Sequence, residues 1–262
     1  MNAQRAARRL TVGAAAAATA LAVHAGRSCE AKPPQVETIT RAMTLAEHAA
    51  QALDASGADV VVLARAGQNL SEYGLRYSHL GYAYRDHGVW RVVHKLNQCG
   101  TAHAALYRQG LGEFFLDDLW RYEAAYVVPT PDVQARLLPA LRDNARVAML
   151  NTPAYSMVAY PWAQTYQQSN QWALETLALT QDPSAATRER AQAWLQLKGY
   201  TPTTLHLSAF KRLGARMTAA NVAFDDHPNE KRFTDRIETV TVDSVFAWLN
   251  RSGLGGTVQV IR

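Results

Sequence analysis

Two runs of alternating residues, joined by a very short turn, constrain the fold of this chain most strongly. YSHLGYAYRD and VWRVVHKLN each have the composition of a strand, and Asp-His-Gly lies at their junction. Because such a turn joins neighbouring antiparallel strands, we expect a β-hairpin here. The preceding run, DVVVLARAG, is apolar between Asp59 and Gly67. It predicts a third, buried strand.

The remaining patterns mix helices with further strands. Turn residues, prolines and apolar periodicity predict helices over residues 36–56, 131–149, 170–179 and 183–199, and within the segments QGLGEFFLDDLW, TPTTLHLSAFKRLG and SVFAWLN. Further strands are predicted at EAAYVVPT, RIETVTV and TVQVIR. The order lacks regular βαβ alternation, so we predict an α+β fold with an antiparallel sheet packed against helices. One domain over residues 30–262 is expected, with a C-terminal helical subdomain over 183–262 as the alternative.

The first 25 residues have the features of a secretory signal peptide. Arg5, Arg8 and Arg9 precede an Ala-rich apolar run that ends in small residues at Ala25. The apolar run is short for a transmembrane helix, although an uncleaved anchor is the alternative. We therefore expect a periplasmic or secreted protein with no stable membrane span after cleavage.

Removal of the signal peptide changes the charge of the chain. Residues 1–25 hold three arginines and no acid, so the net charge falls from +5 to +2. The remaining sequence has no basic stripe interleaved with aromatic residues, which argues against a nucleic-acid partner.

The mature chain contains two cysteines, Cys29 and Cys99. In an oxidising compartment an even pair tends to close, so we predict a Cys29–Cys99 disulfide. The alternative is a free, reactive Cys99 that acts with His94 as a thiol enzyme.

Two histidines on the predicted hairpin are the first candidates for chemistry. On a strand, His79 and Gly81 share one face with Tyr77, and the glycine would leave space above the sheet. His94 lies on the partner strand, near His79 if the register allows. His94, Cys99 and His103 have a loose metal-ligand spacing but match no recognised zinc motif, so we expect neither metal nor cofactor.

Ser169 is the third candidate, in the segment YQQSNQWALE. A nucleophile at the start of a helix has backbone N–H groups and the helix dipole nearby. Serine is also among the best residues for capping a helix, and that structural explanation stays open.

The motifs VVVLARAGQNLSEYGLRYSHLGYAYRD, HKLNQCGT, GLGEFFLDDL and YQQSNQWALE resemble the exported bacterial family known as domain of unknown function 2145. More remotely, the order of these motifs is similar to the circularly permuted NlpC/P60 papain-like proteins, including the YiiX-like and lecithin:retinol acyltransferase-like groups. In that resemblance Ser169 stands where the papain-like cysteine would be. It implies a permuted papain-like sheet and helix arrangement.

The papain-like resemblance implies a hydrolase or acyltransferase of the cell envelope, with Ser169 as nucleophile, His79 as base and His94 as the residue that orients it. The partner would be an envelope component: a peptidoglycan peptide, a lipid or a protein. The alternative is a catalytically inactive domain that binds such a ligand. The residues expected to contact the ligand are Tyr77, Tyr82, Asn97, Trp162, Gln168, Asn170 and Trp172.

Overall fold

A six-stranded antiparallel sheet forms the centre of the molecule, with the order β4-β3-β2-β1-β5-β8. The computed structural model describes residues 33–117 and 119–262. The strands are β1 (Val60–Ala66), β2 (His79–Asp86), β3 (Val89–Asn97), β4 (Ala104–Gly110), β5 (Arg121–Val127), β6 (Thr203–His206), β7 (Arg236–Thr239) and β8 (Gln259–Ile261). The strands β6 and β7 form a separate antiparallel pair.

Helices cover both faces of the large sheet. They are α1 (Val36–Ala55), α2 (Leu111–Phe115), α3 (Pro131–Arg142), α4 (Asn144–Ala148), α5 (Ser169–Gln181), α6 (Arg188–Leu197), α7 (Ala209–Thr218), α8 (Asn229–Arg232) and α9 (Val242–Arg251). Within the described ranges, no helix combines the length and the apolar character that crossing a bilayer requires.

The alternation of side chains along each strand divides the core into two layers. Leu63, Ala83 and Val92 pack with α1 and α2 on what we call the α1 face. Leu80 and Tyr82 pack with α3 and α5 on the opposite side, the α5 face. A side chain's place in the sequence of a strand therefore decides which group of helices it contacts.

A smaller unit, residues 203–239, has its own apolar cluster. It contains β6, α7, α8 and β7, and we call it the small subdomain. Its buried cluster includes Leu205, Phe224 and Ile237. Main-chain hydrogen bonds, such as Met157 N–H to Asn221 O at 2.8 Å, attach the small subdomain to the loop before α5.

The predicted fold class and the hairpin are confirmed. Asp86 pairs with Val89, and His87 and Gly88 both have positive φ, as a two-residue turn between antiparallel strands requires. The predicted helix 36–56 also agrees with α1.

The predicted helix in TPTTLHLSAFKRLG is wrong in its first half. Residues Thr203–His206 form β6, which pairs with β7, and the helix begins only at Ala209. The β-branched Thr203 and Thr204 suit a strand once a partner is available. Residues 183–262 contribute β6 and β7 as well as helices, and β8 joins the large sheet beside β5, so this part of the chain is not purely helical.

Candidate functional site

Three neighbouring strands bring His79, His94 and Gln109 into one line of hydrogen bonds. Nε2 of His79 lies 2.8 Å from Nδ1 of His94. Nε2 of His94 lies 2.7 Å from Oε1 of Gln109. His79 is the first residue of β2, His94 lies within β3, and Gln109 is the last residue but one of β4. All three side chains point to the α1 face. We call them the imidazole relay.

Gly81 makes the close approach of the two histidines sterically feasible. A Cβ atom at this position would lie 2.8 Å from the Cβ of His94 and 2.9 Å from the carbonyl oxygen of Val93. The space predicted above Gly81 therefore exists, but His94 itself fills it. Any side chain at position 81 would push His94 away from His79.

An apolar and cationic environment surrounds the relay. The ring centroid of Phe114, on α2, lies 5.1 Å from that of His94 and 6.1 Å from that of His79. The guanidinium of Arg65 lies 4.6 Å from the centroid of Phe114, and it forms an ion pair with Asp117. Arg65 pairs directly with His79 across β1 and β2.

Both imidazoles are therefore held in the neutral form. Burial is the main cause that lowers the pKa of His94, to about 3, and the charge of Arg65 lowers it further. Burial, Arg65 and His94 together hold the pKa of His79 well below its ordinary value. His94 is fully buried, whereas His79 keeps part of its surface exposed.

Neutral rings give the relay a direction. Oε1 of Gln109 can only accept, so Nε2 of His94 carries the proton and Nδ1 of His94 is the acceptor. His79 then donates from Nε2, which leaves its Nδ1 as an unprotonated base. The Nε2 group of Gln109 donates to Glu113 at 3.0 Å, which fixes the orientation of the amide. Among the described residues none forms a hydrogen bond with Nδ1 of His79.

Ser169 does not join this relay. It is the first residue of α5, on the α5 face, and Gln168 rather than Ser169 caps the helix. Burial raises the pKa of Tyr155, and Ser169 beside it offsets part of this rise. Within residues 33–117 and 119–262, no hydrogen bond joins Ser169 to His79 or His94. The rings of His79 and His94 lie on the α1 face, whereas Ser169 begins the helix on the α5 face, so no hydrogen bond of the described residues joins the predicted triad and the roles assigned to it stay predictions.

The aromatic residues predicted to line a cleft lie in or beside the core instead. Tyr82 and Trp172 are buried with ring centroids 6.4 Å apart. Tyr77 precedes β2, so it does not share a strand face with His79, and it packs against Phe246. Trp162 packs against Tyr200.

The predicted polar ligand contacts are used inside the fold. Oδ1 of Asn170 accepts from Leu80 N–H at 3.0 Å, where α5 meets β2. Gln168 donates to Thr239 Oγ1 at 2.6 Å, and Asn97 donates to carbonyl oxygens in the turn between β3 and β4. Gln168 and Asn97 thus position α5 and a turn, whereas Asn170 also donates to Ser78 O at 3.5 Å and so holds the main chain on both sides of His79.

The sequence reasoning missed a buried charged network under α5. Nζ of Lys95 donates to Thr152 O at 2.6 Å and to Oε1 of Gln167 at 2.7 Å. Gln167 contacts Glu175, and Glu175 forms an ion pair with Arg188 at 2.8 Å. Burial is the main cause that lowers the pKa of Lys95, to about 7. A lysine inside the apolar strand VVHKLN and a glutamate inside ALETLAL were the available signals.

The structure does not support the two alternatives based on Cys99, which are a thiol enzyme and a metal site. The described residues include no free cysteine, which does not fit a thiol enzyme. They also include no group of three or more His, Cys, Asp or Glu side chains arranged to hold a metal ion. Cys29 and the predicted signal peptide lie outside the described residues, so the disulfide and the signal peptide stay predictions.

The fold and site define an α+β protein with an antiparallel sheet covered by helices on both faces and a neutral imidazole relay on one of them. The family described as "Uncharacterized protein conserved in bacteria (DUF2145)" matches residues 52–249, and the chain belongs to this family. The narrower of the two resemblances is therefore confirmed. No curated protein and no solved structure matches the chain.

Proposed function

We propose that this protein is an exported hydrolase of acyl bonds, in which His79 activates water as a general base. One feature carries the proposal: the hydrogen-bond pattern of the relay assigns no proton to Nδ1 of the partly exposed, neutral His79, and this atom has no hydrogen-bond partner among the described residues. His94 and Gln109 hold the ring in the tautomer that a base requires, a role comparable to the orienting member of a catalytic triad. An ester or amide of the cell envelope is the proposed substrate.

The reaction needs only water as co-reactant. Nδ1 of His79 takes one proton from water while the water oxygen attacks the carbonyl carbon. The carbon–heteroatom bond then breaks, and the same proton passes to the leaving alcohol or amine. Because Arg65 and burial disfavour a cationic imidazole, His79 must release this proton promptly. Water takes the place of Ser169 as nucleophile in this scheme.

The proposed setting is the cell envelope, following the N-terminal sequence. Residues 1–25 would be removed on export, and Cys29 would pair with Cys99. The antiparallel sheet and the helix at Ser169 support a permuted papain-like arrangement, but the chemistry proposed here uses a different face of that sheet.

The test compares four variants of the mature protein on p-nitrophenyl acetate and on isolated peptidoglycan. We expect His79→Gln to lower kcat/KM by about 10²–10⁴-fold, the usual contribution of a general base. Gln109→Leu should lower kcat less and change the pH profile, because the His94 tautomer is no longer fixed. Ser169→Ala and His87→Gln should retain activity, and the side chain of His87 is 98% exposed.

Two results would overturn the proposal. Loss of activity in a folded Ser169→Ala variant would make the serine the nucleophile and remove water from that role. Absence of hydrolysis by the wild-type protein on both substrates would favour the second candidate, a non-catalytic domain that binds an envelope ligand. The observation that supports this alternative is that, among the described residues, no hydrogen bond joins Ser169 to either histidine.

A further inference from the structure

The helix α7 exposes an apolar stripe to solvent. Phe210, Leu213 and Met217 are spaced by three and four residues, so they lie on one side of the helix. Phe210 is 88% exposed and Met217 is 77% exposed. None of the residues of α7 is buried. A stripe that would ordinarily face a core therefore faces outward.

The opposite side of α7 attaches the helix to the small subdomain. Ala215 packs against the cluster that contains Leu205 and Phe224. Arg212 donates to the carbonyl oxygen of Arg232, which brings the end of α8 beside α7. Phe233 follows directly and is also exposed.

The charges on α7 are all positive. On the helical wheel Arg216 lies next to the stripe, Lys211 and Arg212 lie nearer to the inward-facing Ala215, and residues 209–218 contain no acid. Lys211 forms an ion pair with Glu72, and Arg216 lies near Tyr166, whose hydroxyl approaches Asp225. One border of the stripe therefore carries the exposed side chain of Arg216, whereas the charge of Lys211 is paired with Glu72.

We propose that this surface of α7 binds the surface of an anionic lipid bilayer. Interfacial helices combine Phe and Leu on one side with Lys and Arg at its borders, where the alkyl stems of the cations can lie along the acyl boundary. The ten residues of α7 hold three cations and no acid, and this charge complements an anionic lipid surface. Ten residues span about 15 Å, so α7 would lie on the bilayer rather than cross it.

The test is flotation of the mature protein, without the predicted signal peptide, with vesicles. We expect binding to vesicles of three parts phosphatidylcholine and one part phosphatidylglycerol, and weaker binding to phosphatidylcholine alone. Phe210→Ser combined with Met217→Ser should reduce the partition coefficient by about tenfold or more, because two apolar side chains no longer enter the boundary region. Lys211→Gln with Arg216→Gln should reduce only the preference for the anionic vesicles.

The matched control replaces apolar residues of similar exposure elsewhere. Leu197→Ser, at the end of α6 and 82% exposed, should bind vesicles as the wild type does. All variants should keep the wild-type melting temperature, since the replaced side chains make few contacts. Equal binding of the wild type and the Phe210/Met217 variant would overturn the proposal. So would an absence of vesicle binding together with self-association that this variant abolishes, because a second protein copy would then cover the stripe.

Discussion

The buried ring of His94 links the candidate site to the pH dependence of stability. Its pKa of about 3 in the folded protein is far below the ordinary value of 6.5. As the pH falls through that interval, the unfolded chain binds a proton that the folded chain does not. Stability is therefore fully present above about pH 6.5 and is lost toward acid. We expect His94→Gln to make the unfolding free energy depend less steeply on pH between about pH 6 and pH 4. The slope should fall by up to about 1.4 kcal/mol per pH unit.

Denaturant titrations at each pH measure this slope. The control is His87→Gln, because that histidine lies in the exposed β2–β3 turn and contacts neither ring of the relay. If the wild type and His94→Gln share one slope, the neutral state assigned to His94 is wrong.

Gly81 gives a second prediction for a single residue. Gly81→Ala places a methyl group against His94 and the main chain of β3, both less than 3.0 Å from the new atom. We expect a loss of about 1–3 kcal/mol in unfolding free energy, the usual cost of overpacking. The histidine cross-peaks in NMR spectra should shift as His94 moves away from His79.

The matched glycine is Gly214, in the middle of α7. A Cβ there meets no atom within 4 Å and needs no unusual φ. Gly214→Ala should therefore stabilise the protein slightly, by about 0.5–1 kcal/mol. A Gly81→Ala variant as stable as the wild type would mean that β3 adjusts without cost.

The contact between the two histidines could be anticipated from the sequence, but the position of Ser169 could not. A two-residue turn fixes the register of β2 and β3, and the period of two then places His79 and His94 on one face. No local rule states which face of the sheet α5 will cover. That choice depends on apolar contacts between α5 and residues such as Leu80 and Tyr82, which are distant in sequence.

At the scale of elements, the buried ion pair Glu175–Arg188 joins α5 to the start of α6. Arg188 also donates to the carbonyl oxygens of Gln164 and Tyr166 in the loop before α5. The guanidinium thus holds two helices and a loop together. Removal of the carboxylate would leave a buried cation without a counter-charge, which is far costlier than losing an exposed pair.

We therefore expect Glu175→Gln to lower the unfolding free energy by about 3–5 kcal/mol. The control is Glu37→Gln in the exposed pair with Arg41, where the change should stay within about 1 kcal/mol. Urea titrations compare the two directly. Similar small losses in both variants would show that water or a side chain of the loop replaces the carboxylate.

The elements that the sequence failed to predict are those that depend on partners. The strand β4 has a mixed polar pattern, and it forms because its whole length pairs with β3. The strand β6 is short and requires β7, more than 30 residues later in the chain. By contrast, α1 and the β2–β3 hairpin carry their own periodicity or turn signals, so local sequence suffices for them.

At the scale of the whole molecule, the large sheet and the small subdomain differ in how well they are buried. The core of β1, β2 and α5 includes Val60, Leu80 and Trp172, all without exposed surface. In the small subdomain, Leu205 and Val222 each keep nearly a tenth of their surface exposed. Fewer buried apolar contacts predict a lower free energy of local opening.

Ser156 offers a direct test of how the small subdomain is attached. Its buried hydroxyl donates to the carbonyl oxygen of Ala223 at 3.0 Å and accepts from the N–H of Ala223 at 3.1 Å. Ser156→Ala removes both bonds and leaves the two main-chain groups of Ala223 without these partners. An unsatisfied buried group costs about 1–3 kcal/mol, so we expect the local opening of the small subdomain to become at least about fivefold more frequent.

Hydrogen exchange followed by mass spectrometry measures that opening. In the wild type, peptides over residues 203–239 should exchange faster than those over β1 and β2. In Ser156→Ala, we expect exchange to increase further around residues 219–226 while β1 and β2 keep their protection. Ser252→Ala, which removes a hydroxyl contact within the last turn of α9, is the control and should leave residues 219–226 unchanged. A uniform increase over the whole chain would mean instead that the small subdomain and the large sheet open as one cooperative unit.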